Sequence, residues 1–467
     1  MTDQPALRRD AVSMTGATVI GMSFIAPAAG MAFLPQVVAS QAGAAVPLVY
    51  LLAVAGSMCL AYTIAQFTRW APSAGSFYTF NSLGLGPAAG FVSGWLLLLG
   101  YLGGFPQNML AFGSSLSAVL AKQAGVAVPW WVFTAAGTVL IAAIAIGGLG
   151  LSVRVDLTML AIEVLVIAVL AVVIVTAGGA HGNTAEVFTP SAGGGQAGGL
   201  LFALVFAFNT MVGFESVATV SEETRDARRT IPRAVIGSVL LTGVFFVFVT
   251  YAVTIGFGAD NARALADDPL PLDTLANRYL GRGYSVLIDL TVIFSAFAVA
   301  VAAGNGLTRV IYAMARDRAL PSALGRLHSR RRTPHVAVAA VAVLALVLAL
   351  GLGLAFGPYP RAYSYLGAFT GLPVLILYVL VAVSLGSYVW RRRRAEFRPV
   401  KHVVVPAAGA ILAGLAVYGS YHPLPEGPFL WINFGFLGYL CVGIALAAVL
   451  RRRRPELMRD MRKVVAE

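Results

Sequence analysis

The sequence predicts an all-α integral membrane protein with twelve transmembrane helices, on three observations. The 467 residues are 58% hydrophobic and only 11% charged, a balance foreign to a soluble domain of this length. Several apolar runs exceed ~20 residues, enough to cross a ~30 Å hydrocarbon core as helices. Fifty glycines suit helices that pack backbone against backbone in lipid. The spans fall at roughly 13–39, 44–67, 87–121, 130–149, 155–178, 198–220, 233–258, 284–314, 334–356, 362–390, 402–421 and 429–450.

Charge orients these spans. Lys122, Arg263, Arg278, Arg282 and Arg361 fall on one side, and the rest of the 33 Lys and Arg on the other. By the positive-inside rule both termini are expected in the cytoplasm, with the chain in the plasma (inner) membrane. The same distribution accounts for the net charge of +13 without nucleic acid. Arg8 and Arg9 before an apolar stretch imitate a signal peptide, but the stretch is too long for an h-region and reads as a retained first span. Cys59 and Cys441 lie in apolar runs and read as small core residues, not as a disulfide framework or metal site. The five histidines lie in or beside predicted loops. There is no metal-ligand spacing and no nucleotide-binding Gly-Lys-Ser/Thr loop. No catalytic residue, metal or cofactor is expected, and the chain does not read as an enzyme.

Two spans break the rules of an apolar helix. In the first, Pro27 lies between Gly21 and Gly30; it removes a backbone donor and clashes with the preceding turn. In the sixth, Phe208-Asn209-Thr210-Met211-Val212-Gly213-Phe214-Glu215 combines weak helix formers with a carboxylate. A helix interrupted inside the membrane frees N–H and C=O groups that need partners in protein or in a water-lined cavity. Spans one and six cross in opposite directions. Breaks at corresponding positions of two halves point to an inverted-repeat transporter with its site at the midplane. The expected organisation is a cytoplasmic tail at 1–12, repeat one at 13–179, an extracellular loop at 180–197, repeat two at 198–390, two further helices in 391–450 and a basic cytoplasmic tail at 451–467.

The connections read as follows. Arg69 to Tyr78 carries Pro72 and Gly75 and turns the chain. Pro87 suits the first turn of span three. The loop 259–283, with Asp260, Asp267, Asp268 and Asp273, reads as a solvated outer loop with room for a short surface helix. The arginines from Arg309 to Arg332 are expected near anionic headgroups.

Three blocks carry a resemblance. They are Pro72-Ser73-Ala74-Gly75-Ser76-Phe77-Tyr78 with the Gly94-Trp95 pair; Gly213-Phe214-Glu215 through Glu222-Glu223 to Ile231-Pro232-Arg233; and Arg309 to Pro321 with Thr333-Pro334. With the hydropathy, the chain resembles the amino acid–polyamine–organocation (APC) permeases over roughly residues 10 to 450. The resemblance implies a leucine-transporter-type 5+5 inverted repeat with broken helices 1 and 6, alternating access, and transport of amino acids or related amines. Carried over by position, it implies substrate contacts at Ser23, Ala26, Ala28, Ala29 and Gly30 and at Phe208, Asn209, Thr210 and Gly213. One departure stands out: relatives have a glycine-rich turn in span one whose N–H groups cradle the substrate carboxylate, whereas Pro27 in Ala26-Pro27-Ala28-Ala29-Gly30 cannot donate.

Acidic residues within spans are functional candidates by default. Glu215 and Glu163 are the expected proton-coupling sites, with purely structural hydrogen bonding as the competing reading of each. Asp289, near the outer end of span eight, is expected to reach the interface. Ser295, Asn305 and Thr308 offer oxygens for a sodium site. Glu222, Glu223 and Arg225, with Arg309, suit a gate of exposed ion pairs, each worth only ~0–1 kcal/mol, against a solvated capping region as the plain alternative. The leading expectation is a proton-coupled amino acid permease. The alternatives are an amine or polyamine uniporter or exchanger, and a substrate-sensing receptor or channel on the same scaffold. The expected partners are the small-molecule substrate, a proton or sodium ion, and the lipid bilayer.

Overall fold

A computed structural model describes residues 13–71, 75–147, 153–194, 197–221, 224–316, 320–328, 331 and 333–453. The termini, Pro72 to Ala74 and the pair Glu222-Glu223 lie outside them. No strand occurs among the described residues. The helices in chain order are α1 (Met14–Ile25), α2 (Pro27–Phe33), α3 (Pro35–Ala42), α4 (Val46–Trp70), α5 (Ser76–Leu85), α6 (Pro87–Ala124), α7 (Trp130–Gly147), α8 (Val153–Thr176), α9 (Ala197–Met211), α10 (Ser216–Thr219), α11 (Ala227–Phe257), α12 (Ala262–Asp267), α13 (Pro271–Leu280), α14 (Arg282–Arg316), α15 (His335–Phe356), α16 (Tyr363–Arg392), α17 (Val405–Gly419) and α18 (Pro428–Arg453). Twelve stretches are long and apolar enough to cross a membrane, each overlapping one expected span.

Burial separates these spans into a centre and a shell. In the stretches Met14–Phe33, Gly198–Ala218 and Pro358–Arg392, 72% of the most apolar window is buried, against 22% in Trp130–Gly147 and Pro428–Arg453. Spans one, six and ten are therefore central. Outward-facing side chains such as Leu354, Val343 and Trp431 are 70%, 63% and 76% exposed. Water would penalise such a surface; hydrocarbon does not. The 38-residue α6 is the central pillar, packed on α5, α7, α14, α16 and α18.

Several connections differ from the sequence expectation. From Ser76 the chain forms α5, because Phe77, Phe80, Asn81 and Gly84 fall on one helical face and are all buried. The loop 259–283 is not simply solvated. Its helices α12 and α13 bury Leu265, Leu272, Leu275 and Ala276, and Asp273 accepts from Lys122 Nζ at 2.6 Å and from Ser285. Asp289 does not reach the interface. It is 4% exposed and lines a cavity of about 10 Å³ beside Asp273, because α13 folds over the N-terminal part of α14. Cys441 is exposed on the outward face of α18 rather than in a core, while Cys59 is half-buried.

A buried polar strap joins α5, α6 and α16. Asn81 donates to Ser93 Oγ at 2.8 Å and accepts from Ser384 at 2.7 Å, and Ser387 donates to the Gly84 carbonyl at 2.8 Å. Gly84 permits it, since a β-carbon there would meet the Ser384 backbone. Overpacking of this kind typically costs ~1–3 kcal/mol. Gly84→Val should lower the melting temperature in detergent by several degrees. Gly438→Val, where nothing lies within 4 Å of the added carbon, should leave it unchanged.

Candidate functional site

The first break is set by Pro27. A proline disfavours helical geometry in the residue before it, and Ala26 leaves the helix with φ 54° and ψ 79°. This left-handed conformation costs a non-glycine residue roughly 1–2 kcal/mol, yet Ala26 is only 4% exposed and its packing holds it. Pro27 then starts α2, where its missing N–H is one that the first turn leaves unbonded anyway. The next two amides are satisfied from neighbouring helices. Ala29 N–H donates to Ser295 Oγ of α14 at 3.1 Å, and Ser295 donates to Glu163 Oε2 of α8 at 3.0 Å. The Ala28 amide hydrogen-bonds the same Glu163 carboxylate. Glu163, 7% exposed, thus closes the start of α2, where the helix dipole favours negative charge.

The second break spans residues 212–215, between α9 and α10. Gly213 has φ 126°, a conformation that favours glycine. Its N–H donates to Glu215 Oε2 at 3.0 Å, and Tyr378 of α16 donates to the same oxygen at 3.2 Å. Phe214 stacks on the Tyr378 ring at 5.4 Å. Glu215 is 1% exposed, and its Oε1 has no hydrogen-bond partner among the described residues. A β-carbon on Gly213 would meet Phe24 and the Ile25 backbone nitrogen, so the two breaks touch each other.

Between the breaks lies a cavity of about 70 Å³, room for several water-sized groups at ~10–15 Å³ each. Of the residues expected to contact substrate, Ala26, Ala29, Gly30, Asn209 and Thr210 line it. Ser23, Ala28, Phe208 and Gly213 do not. The Ala28 amide is taken by Glu163, the Gly213 amide by Glu215, and Phe208 packs outward on Gly56 of α4. The sequence reading missed the opposite wall: Tyr101, Gln107 and Asn108 of α6, Val299 and Ala303 of α14, and Tyr363 and Thr370 of α16. The adjacent amides of Gln107 and Asn108 inside an apolar span were the available signal. It also missed Tyr50, which contacts Thr210 Oγ1 at 3.1 Å. No Asp, Glu, Lys or Arg is among the described residues lining the cavity.

The remaining candidates lie apart. Ser295 is engaged with Ala29 and Glu163, Thr308 donates to the Gly304 carbonyl at 2.6 Å, and Asn305 is exposed, so the three do not converge on one point as a sodium site would require. Arg225 and Arg309 are exposed, and Glu222 and Glu223 lie outside the described residues.

Among the described residues, twelve helical stretches apolar enough to cross a membrane, with a cavity free of Asp, Glu, Lys and Arg between two interrupted helices, fit a multi-pass integral membrane protein. Residues 14–424 match the amino acid permease family, and the chain belongs to it. It is 29% identical over 471 residues to the branched-chain amino acid permease BcaP of Lactococcus lactis, covering 94% of this chain and 95% of the relative. It is 25% identical over 413 residues to the low-affinity putrescine importer PlaP of Escherichia coli, covering 85% and 86%. A cationic amino acid transporter of Mus musculus is 28% identical over 356 residues, covering 72% of this chain and 54% of the relative.

Ser295 and Ser23 give a paired test of the first break. Ser295→Ala leaves the Ala29 amide without its partner, and an unsatisfied buried donor costs about 1–3 kcal/mol. Its thermal unfolding in detergent should move down accordingly. Ser23 Oγ has no partner among the described residues, and Ser23→Ala should unfold with the parent protein.

Proposed function

We propose that this protein carries a neutral amino acid across the membrane by alternating access, coupled to protons through Glu163 and Glu215. The observation that carries the substrate class is the cavity lining, which holds amides, hydroxyls and apolar groups but no formal charge. A zwitterion brings its own opposite charges and needs only dipoles to meet them. A diamine brings two positive charges, and a buried cation without a carboxylate is costly. The putrescine importer among the relatives favours the amine reading. The uncharged lining favours the amino acid, as does the branched-chain amino acid permease, and Val212, Val299 and Ala303 suit an aliphatic side chain.

The 5+5 inverted repeat belongs to this proposal. Support comes from a parallel between the breaks: span five reaches the first through Glu163, and span ten reaches the second through Tyr378. Both carboxylates bond the backbone at a break. Protonation of either weakens its hold on those amides, which links proton uptake to the shape of the broken helix. The arginine-rich face is assigned to the cytoplasm of a plasma (inner) membrane by the positive-inside rule. Arg225 and Arg309, exposed there, are assigned with Glu222 and Glu223 to an inner gate.

Purified protein in proteoliposomes tests this. Uptake of labelled isoleucine should rise with an inward proton gradient, and unlabelled neutral amino acids should compete. A hundredfold excess of putrescine should leave uptake unchanged; strong competition by it transfers the site to amines. Glu215→Gln and Glu163→Gln should each lower gradient-driven uptake tenfold or more while retaining substrate exchange at zero gradient. Unchanged gradient dependence in both variants removes the coupling role.

A further inference from the structure

A second, larger hollow lies away from the central cavity. Near mid-helix α18 is clamped to α6: Trp95 stacks on Tyr439 at 4.6 Å and donates to its carbonyl at 3.1 Å, while Tyr439 donates to the Trp95 carbonyl at 2.8 Å. Toward the arginine-bearing end, a groove of about 650 Å³ opens between α6, α16 and α18. That volume lies within the ~300–1,000 Å³ usual for a small-molecule site. Ala88, Ala89 and Ala448 keep its walls low, and Ile444 marks its deep end. Arg451 and Arg452, both exposed, stand at its mouth. Seven residues of helix separate Ile444 from Arg451, about 10 Å along the axis. The groove is thus apolar at depth and doubly cationic at the surface. α6 also begins beside it without a side-chain cap, so further positive potential falls on the same end.

We propose that this groove binds one anionic phospholipid from the leaflet on the arginine-bearing face, an acyl chain lying along Ala88, Ala89 and Ala448 and the phosphate meeting Arg451 and Arg452. The chemistry is that of a headgroup site. An apolar slot open to the bilayer is filled by lipid, and two guanidinium groups at headgroup depth select lipids carrying negative charge. This assignment is independent of the transported substrate. The nearby Arg392 lies over the Tyr388 ring, 5.9 Å from its centroid, and Arg393 over Trp70 at 5.4 Å. Arg393 thus turns toward α4, and Arg392 lies along Tyr388 of its own helix.

Native mass spectrometry of the full chain, delipidated and then offered equal amounts of phosphatidylglycerol and phosphatidylcholine, tests the site. The parent should retain phosphatidylglycerol over phosphatidylcholine by tenfold or more. Arg451→Gln with Arg452→Gln should bring the ratio to within twofold of one, and Ala448→Trp should reduce retention of both lipids. Arg392→Gln with Arg393→Gln should keep the parental preference. Equal retention of the two lipids by the parent overturns the proposal. So does an equal loss in the Arg392 and Arg393 variant, which marks a diffuse basic surface. A chain ending at residue 453 that gains phosphatidylglycerol the full chain lacks also overturns it, since the tail then fills the groove. Each variant's melting temperature in detergent checks that it is folded.

Discussion

Backbone polarity inside an apolar bundle is the constraint on which the rest depends. Each interrupted helix frees N–H groups that hydrocarbon cannot satisfy, at several kcal/mol apiece if left alone. The chain meets this demand with carboxylates. Glu163 serves Ala28 directly and Ala29 through Ser295; Glu215 serves Gly213 and is held by Tyr378. The positions of α8, α14 and α16 around the centre follow from having to deliver these groups. A buried carboxylate is itself costly unless it is well bonded, and taking up a proton relieves that cost. One pair of residues therefore satisfies the backbone and, on the proposed coupling, links its geometry to protons.

The central cavity follows the same economy in a different way. Its polar groups are neutral, with Asn209, Gln107, Asn108, Thr210 and Thr370 around apolar Val212, Val299 and Ala303. Both acids that the breaks require point elsewhere, so the cavity itself carries no fixed charge. On the proposed function, selection of substrate and response to protons are thereby separated in space, although both rest on the same two stretches of backbone.

Much of this was legible in the residues. Span count followed from apolar length, and the breaks were marked by Pro27 and by Asn209 with Gly213. Side-chain direction was not legible. Phe208 and Asn209 are neighbours in sequence, yet one packs on Gly56 and the other lines the cavity. Around a break, helical periodicity no longer says which way a residue points. Asp289 was misread for a related reason: its depth depends on α13 folding over it, a long-range contact that no local pattern encodes. α5 was missed although Phe77, Phe80, Asn81 and Gly84 spell out its buried face, because the Pro and Gly just before it read as a turn.

The close packing of Gly213 on Phe24 and Ile25 ties the two breaks together. Only a bare glycine backbone fits there, against both the Phe24 ring and the Phe24–Ile25 main chain. If span six rotates about this point, as the proposed transport cycle requires, it presses directly on span one. Under the proposed alternating access, the pair would be a shared fulcrum for the two breaks.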